Sequence, residues 1–398
     1  MTDSPVTTPS VYAPRREFLP FSPPDIGEEE IAAVVDTLRS GWLSAGPKTK
    51  HFESVFRDYI GAENALALNS CTSALHLALV ALGIGAGDEV ITTTMTFCSS
   101  VNVIEHVGAT PILVDIDPET LNLDPAAVEA AITPRTKAIM PVHLAGHPAD
   151  MDAILALAKA HGLPVVEDAA HAVPTRYRGQ MVGAIGDLTA FSFYATKNLT
   201  TGEGGMLTGR DDLVEKARLY SLHGMNRDAW KRYTSSGSWF YEVIAPGFKY
   251  NMNDMQAALG LVQLARLDAM QARRRELSAR YHAAFAGHEA LQTPSEQPYA
   301  QHAWHLYILR LNLETLTIDR AAFIDELKTR NIGTSVHFIP VHLHPYYRDK
   351  YGFAPESRSV AFSQFQRTIS LPMRSNLTDD EADDVIAAVL DVAKTFRR

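Results

Sequence analysis

Cysteine is almost absent from this chain: of 398 residues, only Cys71 and Cys98 carry a thiol. Two cysteines build neither a disulfide scaffold nor a cysteine-rich zinc site. Cations are also in short supply. Lys and Arg total 36 against 46 Asp and Glu, a formal net charge of -10, and sequence-independent nucleic-acid binding needs clustered positive charge. Long apolar runs are missing as well. The most apolar stretch, 65–82, is broken by Asn69, Ser70, Thr72, Ser73 and His76, so no window approaches the roughly 18–20 apolar residues of a membrane span. The N-terminus is rich in Ser, Thr and Pro and lacks the apolar core of a secretory signal. Residues 1–16 read as a loose tail. Together these absences point to a cytoplasmic protein that partners neither nucleic acid nor membrane.

The chain is nonetheless 46 % hydrophobic, enough to bury sizeable cores. Between residue 60 and about 210, short β-rich runs alternate with helical stretches. The runs are 65–69, 89–93, 111–115, 138–142, 164–167, 188–193 and 205–208; the helices include 73–82, 124–132 and 150–161. This alternation predicts an α/β fold, a mainly parallel sheet covered on both faces. The last three strands are linked more tightly, so one of them is expected to run antiparallel. After Pro246-Gly247 the character changes. A long helix is expected over 253–285, then a strand over 304–311, a helix over 319–329, a strand over 332–338 and a helix over 379–396. The reading is a large α/β domain over 17–254, and a long helix with a smaller α+β domain over 255–398, with a cleft between them.

Four segments carry chemistry. In Phe191-Ser-Phe-Tyr-Ala-Thr-Lys197, a lysine follows an apolar run and precedes the glycine-rich 202–205. Desolvation there frees the amine, as a Schiff-base lysine requires; the plain alternative is a surface lysine beside a loop. In Pro164-Val-Val-Glu-Asp168-Ala-Ala-His171, an apolar strand delivers a carboxylate at its carboxyl end, where open α/β sheets place ligands. Asp168 suits a protonated pyridine nitrogen, or else caps a helix. His171 shares its face if the turn is helical, and stacks on or hydrogen-bonds to a ring, or is simply buried. In Asn69-Ser-Cys-Thr-Ser73, a strand-to-helix turn offers N–H groups and hydroxyls to a phosphate, or Ser70 or Thr72 serves as an ordinary cap. Ser192 can add a hydroxyl. The fourth segment, Pro246-Gly-Phe-Lys-Tyr-Asn251, is a polar turn into the long helix. Gly83-Ile-Gly-Ala-Gly87 does not fit the dinucleotide fingerprint, because its third glycine comes one residue early and it follows a helix. His337, His342 and His344 lack a cysteine or paired carboxylate at a familiar metal spacing, so no metal is expected.

The chain resembles the pyridoxal-phosphate-dependent sugar aminotransferases of fold-type I known as the DegT/DnrJ/EryC1/StrS family. The resemblance runs from Phe18 nearly to the C-terminus. It is carried by Ser40-Gly-Trp-Leu-Ser-Ala-Gly-Pro47, Asn69-Ser-Cys-Thr-Ser-Ala74, Gly87-Asp-Glu-Val90, Glu167-Asp-Ala-Ala-His171, Ser192-Phe…Lys197, Gly202-Glu-Gly-Gly205 and Gly247-Phe-Lys-Tyr-Asn251. It implies an aspartate-aminotransferase-like fold with a seven-stranded sheet. It implies pyridoxal 5'-phosphate as cofactor, with pyridoxamine phosphate as the aminated form. Lys197 would be the Schiff-base lysine, with Asp168 on the pyridine nitrogen and Phe97 stacked on the ring. Thr72, Ser73 and Ser192 would hold the phosphate, and Asn251 would reach it from the neighbouring subunit of a homodimer with shared active sites. Within the family, the segments 18–22, 302–306 and 332–338 are most similar to enzymes aminating C4 of a UDP-4-keto sugar, such as those making UDP-4-amino-4-deoxy-L-arabinose. Phe97, where those carry Trp, departs from that pattern; so does His342-Leu-His-Pro-Tyr346, which looks more like members acting on 6-deoxy or N-acetylated sugars. Tentative nucleotide-sugar contacts are Arg227, Lys231, Arg232, His337 and Phe338, with glutamate as the expected amino donor. Three other readings stand beside this one. A dehydratase of the same fold would carry histidine in place of Lys197. A non-catalytic regulator would bring a DNA-binding module. An aminotransferase for a cyclitol or polyamine is excluded least well.

Overall fold

The computed structural model describes residues 14–226 and 240–398. Seven strands form the central sheet: β1 (Asn64–Leu68), β2 (Glu89–Thr93), β3 (Thr110–Val114), β4 (Thr136–Met140), β5 (Val166–Asp168), β6 (Leu188–Ser192) and β7 (Gly205–Gly209). Strands β3, β2 and β4 pair in parallel. Bridges Ile139↔Val165 and Val142↔Asp168 join them to β5. β5 pairs in parallel with β6, and β7 runs antiparallel to both β6 and β1. The order is therefore 3-2-4-5-6-7-1, with β7 the reversed member that the tight linkage predicted.

The strands read as apolar runs because both faces are covered, and alternate residues feed two different cores. Leu66 and Leu68 pack with Leu75 and Leu79 of α3 (Cys71–Leu82), whereas Ala65 and Ala67 pack with Phe52 and Phe56 of α2 (Pro47–Ile60). Sequence reasoning did not single out α2, nor α1 (Glu28–Ser40) or α4 (Ser99–His106).

The long helix, here α5 (Asp254–Phe285), starts in a capping box: Asn253 accepts from the Gln256 N–H, and Gln256 accepts in return from the Asn253 N–H. Its first half belongs to the core beneath the large sheet, through Ala257, Leu267 and Met270. Its last turns, through Leu277, Tyr281 and Phe285, belong to a second core with Tyr307, Leu309, Ile369 and Val389. That core sits on a small antiparallel sheet of β8 (Leu291–Gln292), β9 (Tyr307–Leu311) and β10 (Thr368–Leu371). Leu19 packs into it as well, and Arg15 pairs with Asp384 at 2.5 Å.

The strand expected over 332–338 does not form. Isolated bridges at Ile332 and Ser335 are its only ladder contacts among the described residues, and Gly333 lies flat against the Leu19 backbone. The segment spends its polar groups on the N-terminal stretch and on Ser370 instead. No helix among the described residues is long and apolar enough to cross a membrane.

Asp254 ties α5 to α2. Its Oδ1 accepts from the Gly46 and Thr49 N–H groups and the Thr49 hydroxyl, and its Oδ2 from the Lys48 N–H. A carboxylate borrowed from another helix thus caps α2 and meets the positive end of its dipole. Asp254→Ala strands those donors, and is expected to cost about 2–3 kcal/mol in urea unfolding. Asp254→Asn keeps the Oδ1 acceptor and should lose less.

Candidate active site

The C-terminal ends of β5 and β6 and the turn after β1 meet at one place. Asp168, the last residue of β5, is buried. Its Oδ2 accepts from the Ser100 hydroxyl at 2.6 Å, and its Oδ1 from the Ala170 N–H at 3.1 Å. No helix follows it, so the helix-cap reading falls and the turn holding His171 is not helical. Burial pushes the Asp168 carboxyl up; Ser100, the Ala170 N–H and the positive charge of Lys197 pull against that. Among the described residues no cation pairs directly with Asp168. A buried carboxylate held by neutral donors suits a cationic partner. The neighbouring Glu167 points to the other face, where Gly186 N–H, Thr189 Oγ1 and His143 Nε2 all serve it.

Lys197 lies in the loop joining β6 to β7. It retains some accessible surface, yet desolvation dominates and lowers its amine to about 8, against the opposing pull of Cys71 and Asp168. The free base is therefore available close to neutrality. Cys71 sits at the start of α3, and burial holds its thiol well up, in the neutral form.

His171 accepts from the Ala145 N–H at Nδ1, which leaves Nε2 as the ring's donor. Its ring stacks on Phe338 at 5.7 Å and tilts against His305 at 4.4 Å. Burial and the charge of Lys197 depress His171, His305 and His337, so all three are neutral rings. Phe97, 58 % exposed, lies 5.9 Å from Phe338, and Phe21 stacks on His337. The expected group Asp168, His171, Lys197, Phe97, His337 and Phe338 is thus drawn into one neighbourhood. His342 is not part of it: its two ring nitrogens engage Thr94 and the Pro355 carbonyl.

In the turn after β1, Ser70 caps α3 by accepting from the Ser73 N–H. Ser73 donates to Asn69 at 2.6 Å, and Thr72 and Ser192 are half-buried nearby on α3 and β6. The turn approaches β7 so closely that a Cβ on Gly205 would stand 2.5 Å from the Cys71 nitrogen. Helix-terminal N–H groups with hydroxyls beside them suit a phosphate. Asn251 bridges Leu68 by backbone and holds the Lys249 amine. Its side chain lines an open cavity of about 1140 Å³ with Gly46, Thr49 and Arg218, which does not include Lys197. Arg227, Lys231 and Arg232 lie outside the described residues.

Sequence reasoning missed Thr96, Ser100, Asn198 and His305 as members of the site. Ser100 had one available signal: it lies three residues past Phe97, at helical spacing. Asn198 fixes His305 by accepting from its Nδ1 while donating to the Ala303 carbonyl.

A model of the "DegT/DnrJ/EryC1/StrS aminotransferase family" matches residues 24–390. The chain is 57 % identical over 382 residues to the spore coat polysaccharide biosynthesis protein SpsC of Bacillus subtilis, covering 96 % of this chain and 98 % of the relative. Among solved structures, the putative sugar aminotransferase Spr1654 of Streptococcus pneumoniae in its PMP form superposes with a TM-score of 0.89 at 39 % identity, covering 95 % of this chain and 99 % of that one. PseC of Helicobacter pylori, an aminotransferase involved in pseudaminic acid biosynthesis, gives 0.88 at 29 % identity, over 96 % of this chain and 100 % of that one.

The lowered Lys197 amine has a direct readout. Reductive methylation of the apoprotein, followed by mass spectrometry across a pH series, should show Lys197 reacting with a midpoint near pH 8. Its rate rises with pH because the free amine is the reacting form. A midpoint among those of the exposed lysines would contradict the desolvation argument.

Proposed function

This chain belongs to the DegT/DnrJ/EryC1/StrS aminotransferase family, and we propose that it moves an amino group from an amino acid, L-glutamate, to C4 of a UDP-linked 4-keto sugar for polysaccharide assembly. The observation that carries the aminotransferase chemistry is the juxtaposition of a desolvated lysine with a buried carboxylate that, among the described residues, has no bonded cation. The cofactor is pyridoxal 5'-phosphate, and the donor set fits it. Asp168 would hold the pyridine nitrogen, Thr72, Ser73, Ser192 and the first N–H groups of α3 the phosphate, and Phe97 one ring face. His171 has an Nε2–H to offer the other.

When bound, the cofactor supplies a carbonyl that takes up the amino group and a cationic ring that accepts the electron pair left as the donor's α-proton departs. Lys197 Nζ, its amine lowered to about 8 and so deprotonated far more readily than an exposed lysine, would take that proton from the α-carbon as general base and return it as general acid. Asp168 keeps the ring nitrogen protonated by presenting a negative charge in a site from which water is excluded. The neutral rings of His171, His305 and His337 add no positive charge to repel that proton. The donor's keto product would leave before the keto sugar enters the same site, so ping-pong kinetics would follow.

A nucleotide-sugar substrate is supported by the sugar-aminotransferase relatives and by the aromatic wall of Phe21, Phe97, Phe338 and His337, a surface suited to a sugar face. Arg227, Lys231 and Arg232 would meet the diphosphate. The active form is a homodimer in which Asn251 of each subunit serves the other's phosphate turn; Asn251 lines an open cavity that does not include Lys197 of its own chain, which favours that reading.

Purified wild-type protein should carry a visible absorption band that Lys197→Ala loses together with turnover. A variant that still transaminates would sink the assignment. UDP should raise the thermal midpoint of the wild type; no response to any nucleotide would favour a cyclitol or polyamine as acceptor.

A further inference from the structure

The carboxylate of Asp168 has a side-chain partner that the reaction outlined above leaves without a role. Ser100, fully buried on α4, stands with its hydroxyl 2.6 Å from Asp168 Oδ2 and 2.8 Å from the hydroxyl of Thr96, itself buried. The direction of these bonds follows from chemistry. An ionised carboxylate only accepts, so Ser100 spends its single proton on Asp168. Thr96 must then donate to Ser100. The result is a directed relay, Thr96 to Ser100 to Asp168, in which each bond polarises the next. The Phe97 carbonyl, 3.3 Å from Ser100, is the competing acceptor, and is the longer and uncharged one.

We propose that Thr96 and Ser100 form a positioning relay that aims the Asp168 carboxylate and holds it in the charged state on which cofactor binding depends. The inference rests on the aminotransferase reading and goes beyond it by giving two unassigned residues a task. Geometry favours it in three ways. Asp168 is fixed in its backbone by the Pro141 carbonyl and the His143 N–H, so its side chain has only its own torsions left to set. The Ala170 N–H fixes one oxygen, and Ser100 is its only side-chain donor among the described residues. Finally, α4 begins two residues after Phe97, so the element that presents the aromatic ring also aims the carboxylate.

The charged and titratable groups facing Asp168 come from several elements: Lys197 from the β6–β7 loop, His143 from the turn after β4, and Cys71 from α3. Burial raises the Asp168 carboxyl, and the Ser100 bond is first among the contributions that lower it. The sign is then fixed. Loss of the Ser100 hydroxyl lets the carboxyl rise further, so Asp168 picks up its proton at a higher pH, and the acid limb of any property needing the anion moves upward.

The test uses the holoenzyme. Ser100→Ala should release pyridoxal phosphate about tenfold faster in dialysis, the loss expected for a hydrogen bond to a charged group, and move the acid limb of the visible band up by about one pH unit. Ser100→Thr, which restores a hydroxyl, should return both readouts toward the wild type. Thr96→Val keeps Ser100 and should shift both in the same direction by less; it also carries the test if Ser100→Ala does not fold. Cofactor release and acid limb unchanged in the folded variants, with only the melting temperature lowered, would reduce the relay to packing and overturn the proposal. A wild type that takes up no pyridoxal phosphate would instead overturn the aminotransferase reading, and the relay with it.

Discussion

A carboxylate buried at the end of a central strand is the constraint around which the structure is arranged. Taking Asp168 out of water is costly, and the surroundings compensate from every side: a hydroxyl from α4, a backbone N–H from the turn beyond it, and the positive field of Lys197 from the loop after β6. Each comes from a different segment. Holding them together requires β2, β4, β5 and β6 to lie side by side and parallel, so that the segments following them open at the same edge. The sheet order is thus what makes the electrostatics possible.

The long helix α5 has a comparable economy. Its first turns are built into the core of the large sheet and its last turns into the core of the small one. Close packing makes this joint stiff: Gly260 lies so near Phe52 that a Cβ there would stand 2.6 Å from the ring. The segment carrying His337 and Phe338 is hydrogen-bonded to the small sheet through Ser335 and Ser370. Its distance from Lys197 is set through that rod.

Much of this was legible in the sequence, for identifiable reasons. The seven sheet strands announced themselves because a strand covered on both faces is a short apolar run ended by polar turn residues, and Asp168 and Lys197 stood out as charges at the ends of such runs. The start of α5 near Asn253 was expected from the polar turn that leads into it, and the capping box with Gln256 is the local chemistry behind it. What escaped was non-local. Ser100 meets Asp168 across 68 positions, and Asp254 caps α2 across more than 200; no periodicity encodes such a meeting. The segment 332–338 failed differently. Its β-branched and aromatic residues read as a strand, but its backbone divides its pairing between two partners, Ile332 to Leu19 and Ser335 to Ser370 on the open edge of β10, so no continuous ladder forms.

The reversal of β7 has a mechanical meaning. A parallel successor to β6 would have needed a helical crossover, and the lysine would have ridden on its flexible lead-in. Because β7 runs back beside β6, with Ser192 opposite Gly205, the intervening loop is a closed hairpin whose two feet stand on adjacent rungs of the sheet. Lys197 is therefore stapled at both ends of its loop to buried strands of the central sheet. Displacing its backbone means unzipping interior strands, a sub-global opening rather than the fraying of a surface loop. The amine moves by its own four-carbon stem while its anchor stays still, so any swing of this group starts from a fixed pivot.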